Sequence, residues 1–246
     1  MSKLRNIPAL IRVANSLRAF NHYEKDILAA RETGDPVKDR EVTGHAAYLW
    51  AQDVCRRLHL TVTVTGQENL PEQDGFLIIA NHQGYGDILA LLVAMNERQI
   101  GFIAKDSLEK VPMLGRWISN IGSLFLKRGN AREAMKSLQE GAKRLKDGYN
   151  LVIFPEGTRS RKTRMRHFKR GSFKMAFKAK VPIVPVTLEG AYHIYEETGV
   201  YHPAELHVQI HPYVETAGLD RHAQNEAENQ IEETIRQALP NPEVLE

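Results

Sequence analysis

One short segment of the sequence combines a histidine and an aspartate at a spacing that could support acid–base chemistry: Asn81-His82-Gln83-Gly84-Tyr85-Gly86-Asp87. Its two glycines allow a tight loop, in which the Asp87 carboxylate could reach back to the His82 ring. A carboxylate bonded to one imidazole nitrogen fixes the tautomer and leaves the other nitrogen free to accept a proton. The segment therefore predicts a general base, His82, oriented by Asp87. The alternative is that Asp87 only caps the helix predicted from Ile88 and that His82 is an ordinary loop residue.

A second segment, Phe154-Pro155-Glu156-Gly157-Thr158-Arg159-Ser160-Arg161, places a carboxylate beside a flexible glycine and two arginines. The planar guanidinium of arginine suits bidentate binding of phosphate, so this segment is a candidate anion site. The alternative is a structural ion pair between Glu156 and Arg159.

Cations also stand at the ends of two further predicted strands, as Lys105 and as the pair Lys127 and Arg128. In α/β sheets, reactive residues gather in the loops just past the carboxyl ends of the strands. The shared position of these cations predicts a phosphate site next to the general base His82.

Alternating strands and helices must position these loops. Apolar or alternating runs predict strands at Leu60–Val64, Phe76–Ala80, Ile100–Ala104, Ser123–Leu126, Leu151–Phe154, Ile183–Leu188 and Leu206–Ile210. Helices are predicted at Ile88–Met95, Ala131–Lys146, Ser172–Lys180 and Asp220–Leu239. This order implies an α/β fold with a mixed, largely parallel sheet flanked by helices.

A module of two helices is predicted before the sheet. One helix runs from Ile7 to Leu28, and the second from Thr43, as N-cap, to Leu58, with a break at Thr33-Gly34-Asp35-Pro36. The expected division is an N-terminal helical module at residues 1–58 and an α/β domain at residues 59–246.

Composition bounds the function. Of 246 residues, 42% are hydrophobic and 26% charged, which is typical of a folded globular chain and excludes disorder, collagen and coiled coil as whole-chain descriptions. A single cysteine excludes an internal disulfide. Residues 101–180 hold 20 Lys and Arg against 6 Asp and Glu, so an anionic partner is expected: nucleic acid, a phosphorylated small molecule or an anionic membrane.

Other kinds of site have weaker support. The sequence contains neither a G-x-S-x-G nucleophile elbow nor a P-loop nor a dinucleotide fingerprint. His207 and His211 would stand roughly 13 Å apart along a strand, too far to share a metal ion. The basic run from Arg159 to Lys174 lacks an RNA-binding aromatic signature, which disfavours nucleic acid as the partner.

Four ordered blocks of the chain resemble those of the glycerolipid acyltransferase superfamily: Asn81-His82-x4-Asp87, Gly122 to Arg128, Phe154 to Ser160 and Val181-Pro182-Ile183-Val184-Pro185-Val186. More narrowly, the chain is similar to bacterial 1-acylglycerol-3-phosphate acyltransferases over roughly residues 58–215. Gly84 departs from the pattern, since the family usually carries serine there.

The resemblance implies transfer of a fatty acyl group from a thioester to the hydroxyl of lysophosphatidate, giving phosphatidate. His82 would be the base and Asp87 its orienting group. The implied substrate-binding residues are Lys105, Arg128, Glu156, Gly157, Thr158 and Arg159. Lys105, Arg128 and Arg159 would hold the acceptor phosphate. Glu156 and Gly157 would shape the glycerol site. Acyl-CoA or acyl carrier protein would be the co-substrate, with no other cofactor and no metal.

A lipid acceptor implies contact with a membrane. The longest apolar run has eight residues, Ile88 to Met95, whereas a transmembrane helix needs about 20. With no signal peptide recognised, a cytoplasmic protein attached peripherally to the inner face of the cell membrane is expected. The N-terminal helices would supply the attachment through an apolar stripe with neighbouring cations: Ile7, Leu10, Ile11, Ala14 and Leu17, with Lys3, Arg5 and Arg12.

Three alternatives stay open at this point. The N-terminal helices could be ordinary core. The acceptor could be glycerol-3-phosphate or another lysolipid. The chain could also be a non-catalytic protein that binds anionic lipid or nucleic acid.

Overall fold

A seven-stranded sheet forms the centre of the molecule in the computed structural model, which describes residues 5–126 and 131–245, with residues 131–134 as helical backbone only. The strands are β1 (Thr61–Thr65), β2 (Leu77–Ala80), β3 (Ile100–Lys105), β4 (Leu124–Leu126), β5 (Asn150–Ile153), β6 (Ile183–Glu189) and β7 (Glu205–Ile210). Their spatial order is β1-β7-β6-β2-β5-β3-β4. Only the β6–β7 pair is antiparallel among the described strands, so the mixed, largely parallel sheet predicted from the sequence is confirmed.

Helices cover both faces of this sheet. They are α1 (Ile7–Ala19), α2 (Asn21–Glu32), α3 (Pro36–Arg57), α4 (Gly86–Ala94), α5 (Leu114–Asn120), α6 (Ala131–Lys146), α7 (Lys174–Ala179) and α8 (Arg221–Gln237). The predicted bounds of α6 are those observed. Helix α5 was not predicted, because seven residues are too few to establish a helical period.

The central strand β2 shows why the apolar run there is continuous. Ile78 and Ala80 pack into one hydrophobic cluster with α3 and α4. Leu77 and Ile79 point to the opposite face and pack with α6, α7 and α8. Because successive side chains alternate between two covered faces, all four are buried.

The N-terminal segment contains three helices where the sequence predicted two. The first predicted helix is interrupted at Phe20, between α1 and α2. The predicted second helix begins earlier, at Pro36, since the Asp35 carboxylate caps it by accepting from the main-chain nitrogens of Val37 and Lys38. An aspartate N-cap followed by proline is a favoured helix start. The predicted N-cap Thr43 therefore lies inside α3.

Helix α1 has one face on the core and one in solvent. Ile7, Leu10 and Ile11 are 43%, 65% and 52% exposed. Leu17, which the sequence placed in the same stripe, packs instead against the core cluster, because its position on the helix falls toward the inner face. No helix within residues 5–126 and 131–245 combines the length and apolar character needed to cross a bilayer.

Candidate active site at the carboxyl edge of the sheet

The loop after β2 brings His82 and Asp87 into contact. The imidazole Nδ1 donates to Asp87 Oδ2 over 2.7 Å. The same oxygen accepts from the main-chain nitrogens of Gln83 at 2.6 Å and Gly84 at 2.9 Å. Asp87 is completely buried in the first turn of α4, where the helix dipole favours a negative charge. The carboxylate therefore orders its own loop and leaves the imidazole Nε2 as a proton acceptor.

The ring and backbone of His82 are held from a second loop, which follows β5. The Phe154 ring stacks on the imidazole with centroids 4.1 Å apart and planes 14° from parallel. The His82 carbonyl accepts from the Ser160 main-chain nitrogen at 2.7 Å. The side chain is still 18% exposed, so the base is fixed in orientation yet reachable by a substrate.

Two buried amides, Asn81 and Gln83, attach the His82 loop to β6, and sequence analysis gave neither a role. The Asn81 side chain exchanges two hydrogen bonds of 2.8 Å with the main chain of Leu188. Gln83 Oε1 accepts from the Gly190 nitrogen at 2.9 Å, and its amide nitrogen donates to Glu189. Burial raises the pKa of that Glu189 carboxyl. One signal in the sequence could have indicated a role for Asn81: it is a polar residue directly after a fully apolar strand.

Glu156 has a different place from the one predicted. Its side chain is buried, with Oε1 accepting from the His82 main-chain nitrogen at 2.6 Å and Oε2 from the Arg166 nitrogen at 2.8 Å. Because both carboxylate oxygens face backbone amides, Glu156 positions the base loop and does not present a carboxylate to the acceptor. It also does not pair with Arg159, whose partner is Glu196.

Glu156 gives a pH-dependent prediction. Burial raises the pKa of its carboxyl to about 8, above the ordinary glutamate value expected in the unfolded chain. Between pH values of about 5 and about 8, the native state therefore binds more protons than the unfolded state. The free energy of unfolding then falls as the pH rises through this range. In Glu156→Gln this contribution is lost. We expect the stability difference, wild type minus variant, to shrink between pH 5 and pH 8.5 in denaturant titrations. A difference that grows with pH would mean that the two amides hold the carboxylate ionised.

Arg159 lies on the same loop as Ser160 and is held on two sides. Its Nη1 donates to Glu196 Oε1 at 2.7 Å. The guanidinium carbon sits 3.9 Å from the centroid of the Tyr85 ring, a cation–π contact. The side chain is 22% exposed. The remaining edge of the guanidinium, Nε and Nη2, makes no hydrogen bond within the described part of the chain, so it can bind an anion.

The remaining predicted substrate-binding residues are Gly157, Thr158, Lys105 and Arg128. Gly157 has a left-handed φ of 71°, and an added Cβ would lie 2.6 Å from Lys169 Nζ, a nearby cation not singled out from the sequence. Thr158 and Lys105 are exposed, the latter at the carboxyl end of β3. Arg128 lies outside the described residues. Arg159 is thus the predicted cation that the structure links directly to the His82 loop, through the Tyr85 ring.

Comparisons with known proteins find that the chain is similar to acyltransferases. A family model described as Acyltransferase matches residues 61–189, which include both loops and all of β6. A crystal structure of the 1-acyl-sn-glycerophosphate acyltransferase of Thermotoga maritima is similar with a TM-score of 0.79 and 28% identity. The match covers 96% of this chain and 95% of that one.

Sequence relatives extend the same similarity. A 1-acyl-sn-glycerol-3-phosphate acyltransferase of Chlamydomonas reinhardtii is 37% identical over 61% of this chain and 43% of its own length. A chloroplastic one of Arabidopsis thaliana is 32% identical over 82% of this chain and 56% of its own. This chain therefore spans about half the length of these two relatives. One from Borreliella burgdorferi is 28% identical over 73% of this chain and 72% of its own length.

Proposed function

The chain belongs to the acyltransferase family, and on that premise we propose that it transfers a fatty acyl group from a thioester to the free hydroxyl of 1-acylglycerol-3-phosphate, giving phosphatidate. The observation that carries this proposal is the His82–Asp87 pair, locked at 2.7 Å in a loop that also contacts Arg159. A base beside an anion-binding guanidinium suits an acceptor that carries a hydroxyl and a phosphate. The similar proteins named 1-acyl-sn-glycerol-3-phosphate acyltransferases support this choice of acceptor.

The proposed mechanism is direct transfer. His82 Nε2 takes the proton from the acceptor hydroxyl while the hydroxyl oxygen attacks the thioester carbonyl carbon. The new C–O bond forms, the C–S bond breaks, and the departing thiolate takes the proton from the imidazolium. Asp87 stabilises the positive charge that His82 carries between these two proton transfers. No acyl-enzyme is required, because the thioester is already activated.

The donor is a thioester of either coenzyme A or acyl carrier protein in this proposal. Both present the same reacting group, and both are anionic. The basic balance of residues 101–180, with 20 Lys and Arg against 6 Asp and Glu, suits either of them. A thiol-release assay with each donor, run against lysophosphatidate, glycerol-3-phosphate and a phosphate-free monoacylglycerol, tests both the reaction and the acceptor class. Turnover that is fastest with the phosphate-free acceptor would contradict the proposal.

Arg159→Ala is expected to weaken acceptor binding more than turnover. The acceptor phosphate carries the same charge in the ground and transition states, so its binding energy is largely uniform. We expect the KM for lysophosphatidate to rise at least about tenfold, with a smaller fall in kcat, as for loss of a charged hydrogen bond. On monoacylglycerol, wild type and variant should differ little. Equal losses on both acceptors would assign Arg159 to donor binding or folding.

We also propose that α1 attaches the protein peripherally to the inner, cytoplasmic face of the cell membrane. Its outward face carries Ile7, Leu10 and Ile11, each more than 40% exposed. Arg5, just before the helix, and Arg12, within it, are also exposed. Burying one large apolar side chain contributes about 1.5–3 kcal/mol, and each cation near an anionic surface about 1 kcal/mol. These amounts favour reversible binding. Lys3, predicted to contribute, lies outside the described residues.

Leu10→Glu tests this attachment in a vesicle co-sedimentation assay. Losing the burial of one leucine should weaken binding to anionic vesicles by about 10–100-fold, and raised salt should weaken it further. Tyr213→Glu is the matched control. Tyr213 is 42% exposed. Its neighbour Val214 pairs with Ile183 at the start of β6, so Tyr213 lies near the end of the strands opposite to His82. If the Leu10 variant binds like wild type, the membrane surface is elsewhere, with the basic 101–180 region as the remaining candidate.

A further inference from the structure

We propose that Glu196 is a positioning residue that fixes the Arg159 guanidinium relative to the His82 base, and so sets where the acceptor phosphate binds. This inference rests on the proposed function, since it assigns a purpose to an Arg159 that binds phosphate. Glu196 lies between β6 and β7, shortly after the short helix Ala191–Ile194. It belongs to neither of the two loops that the sequence marked as reactive.

One carboxylate oxygen of Glu196 connects those two loops. Oε1 accepts from Arg159 Nη1 at 2.7 Å and from the Tyr85 main-chain nitrogen at 3.1 Å. Tyr85 lies within the His82–Asp87 loop and also supplies the ring beneath the guanidinium. The base loop and the anion-binding arginine are therefore tied through a single atom.

The burial of Glu196 favours positioning over competition with phosphate. Its side chain is 2% exposed, so it is not a surface carboxylate that swings freely on and off the arginine. It uses Nη1 and leaves the Nε and Nη2 edge of Arg159 for a ligand. Holding this long side chain in one geometry removes rotamer entropy before the acceptor arrives, which favours binding.

Gly84 provides the space for this carboxylate. A Cβ added at residue 84 would lie 2.7 Å from Glu196 Oε2 and 2.8 Å from the Ala191 carbonyl oxygen. A serine at this position would force the carboxylate or the Ala191 backbone to move. Gly84 and the buried Glu196 are thus parts of one arrangement.

Among the described residues, the second oxygen of Glu196 makes no hydrogen bond that a glutamine at this position would lose. Oε2 is buried and has no hydrogen-bond partner within the described part of the chain. We therefore expect Glu196→Gln to change the melting temperature little.

The test compares Glu196→Ala, Arg159→Ala and the double variant, with Glu197→Ala as control, since Glu197 is adjacent and its side chain is 52% exposed. We expect Glu196→Ala to raise the KM for lysophosphatidate about tenfold, with the donor KM unchanged, and Glu197→Ala to resemble wild type. The double variant should be no worse than Arg159→Ala alone, because the two residues act as one unit. Glu196→Gln should recover part of the loss, since its amide oxygen can still accept both hydrogen bonds.

Three kinetic results would overturn the inference: additive losses in the double variant, a lower KM in Glu196→Gln, or equal losses on phosphate-free monoacylglycerol. The lower KM would mean that the carboxylate competes with phosphate. Thermal stabilisation by glycerol-3-phosphate gives a readout that needs no turnover. It should be reduced in both Glu196→Ala and Arg159→Ala. If wild type transfers no acyl group, the proposed function fails. Equal thermal stabilisation of wild type and Glu196→Ala by glycerol-3-phosphate would overturn the positioning role, whatever the result for acyl transfer.

Discussion

Replacement of His82 by alanine is expected to lower acyl transfer by about 10²–10⁴-fold, the usual contribution of a general base. The Asp87 contact at 2.7 Å and the Phe154 stack at 4.1 Å fix the ring so that Nε2 is the free acceptor. Alanine removes that acceptor, and the hydroxyl must then lose its proton to water. The loss should appear in kcat, measured by thiol release at saturating donor and acceptor.

A control separates this effect from general damage. His222 also faces a carboxylate, Glu226 at 3.5 Å, but on the exposed surface of α8. His222→Ala should keep wild-type turnover. If His82→Ala folds, as judged by its melting curve, and keeps turnover within a few fold of wild type, His82 is not the base.

Asp87→Asn is the second large expected effect, of about 10²-fold or more in kcat. Three donors converge on Oδ2, from His82, Gln83 and Gly84. The asparagine oxygen, not its amide nitrogen, should therefore keep that position, because the nitrogen would face three donors. The imidazole tautomer is then retained, and what the variant loses is the negative charge that stabilises the imidazolium.

Asp87→Ala extends this test, because it removes the hydrogen bonds as well as the charge. It should be slower than Asp87→Asn and less stable, since the Gln83 and Gly84 nitrogens lose their buried acceptor. Rates are compared by single-turnover thiol release, alongside melting temperatures. Normal turnover in Asp87→Asn would show that the charge is dispensable and that Asp87 serves only to order the loop.

Short-range patterns in the sequence were sufficient to predict most of the framework. The apolar run Phe76–Ala80 predicted a buried strand, observed at Leu77–Ala80. The spacing of His82 and Asp87 predicted their contact, which forms within a single loop. The break at Phe20 was not predictable, since no glycine or proline marks it. Its cause is tertiary: Phe20 packs against the core cluster that α3 completes.

The partners of the site residues were the part that sequence could not supply. Glu196 stands 37 residues after Arg159 in the chain, within a segment for which the sequence predicted neither a helix nor a strand. Glu156 and Arg159 are close in sequence, and an ion pair between them was reasonable. The folded chain instead directs Glu156 inward to backbone amides and Arg159 outward to Tyr85. Such choices depend on which loops meet at the sheet edge, which local spacing does not encode.

The most direct test of the central claim is to follow a donor labelled in its acyl chain together with lysophosphatidate, and to quantify phosphatidate and free thiol in the same reaction. The mechanism predicts one phosphatidate for each thiol released, little thiol release without acceptor, and no labelled protein. Thiol release without phosphatidate, or label retained covalently on the protein, would contradict direct transfer to the acceptor hydroxyl.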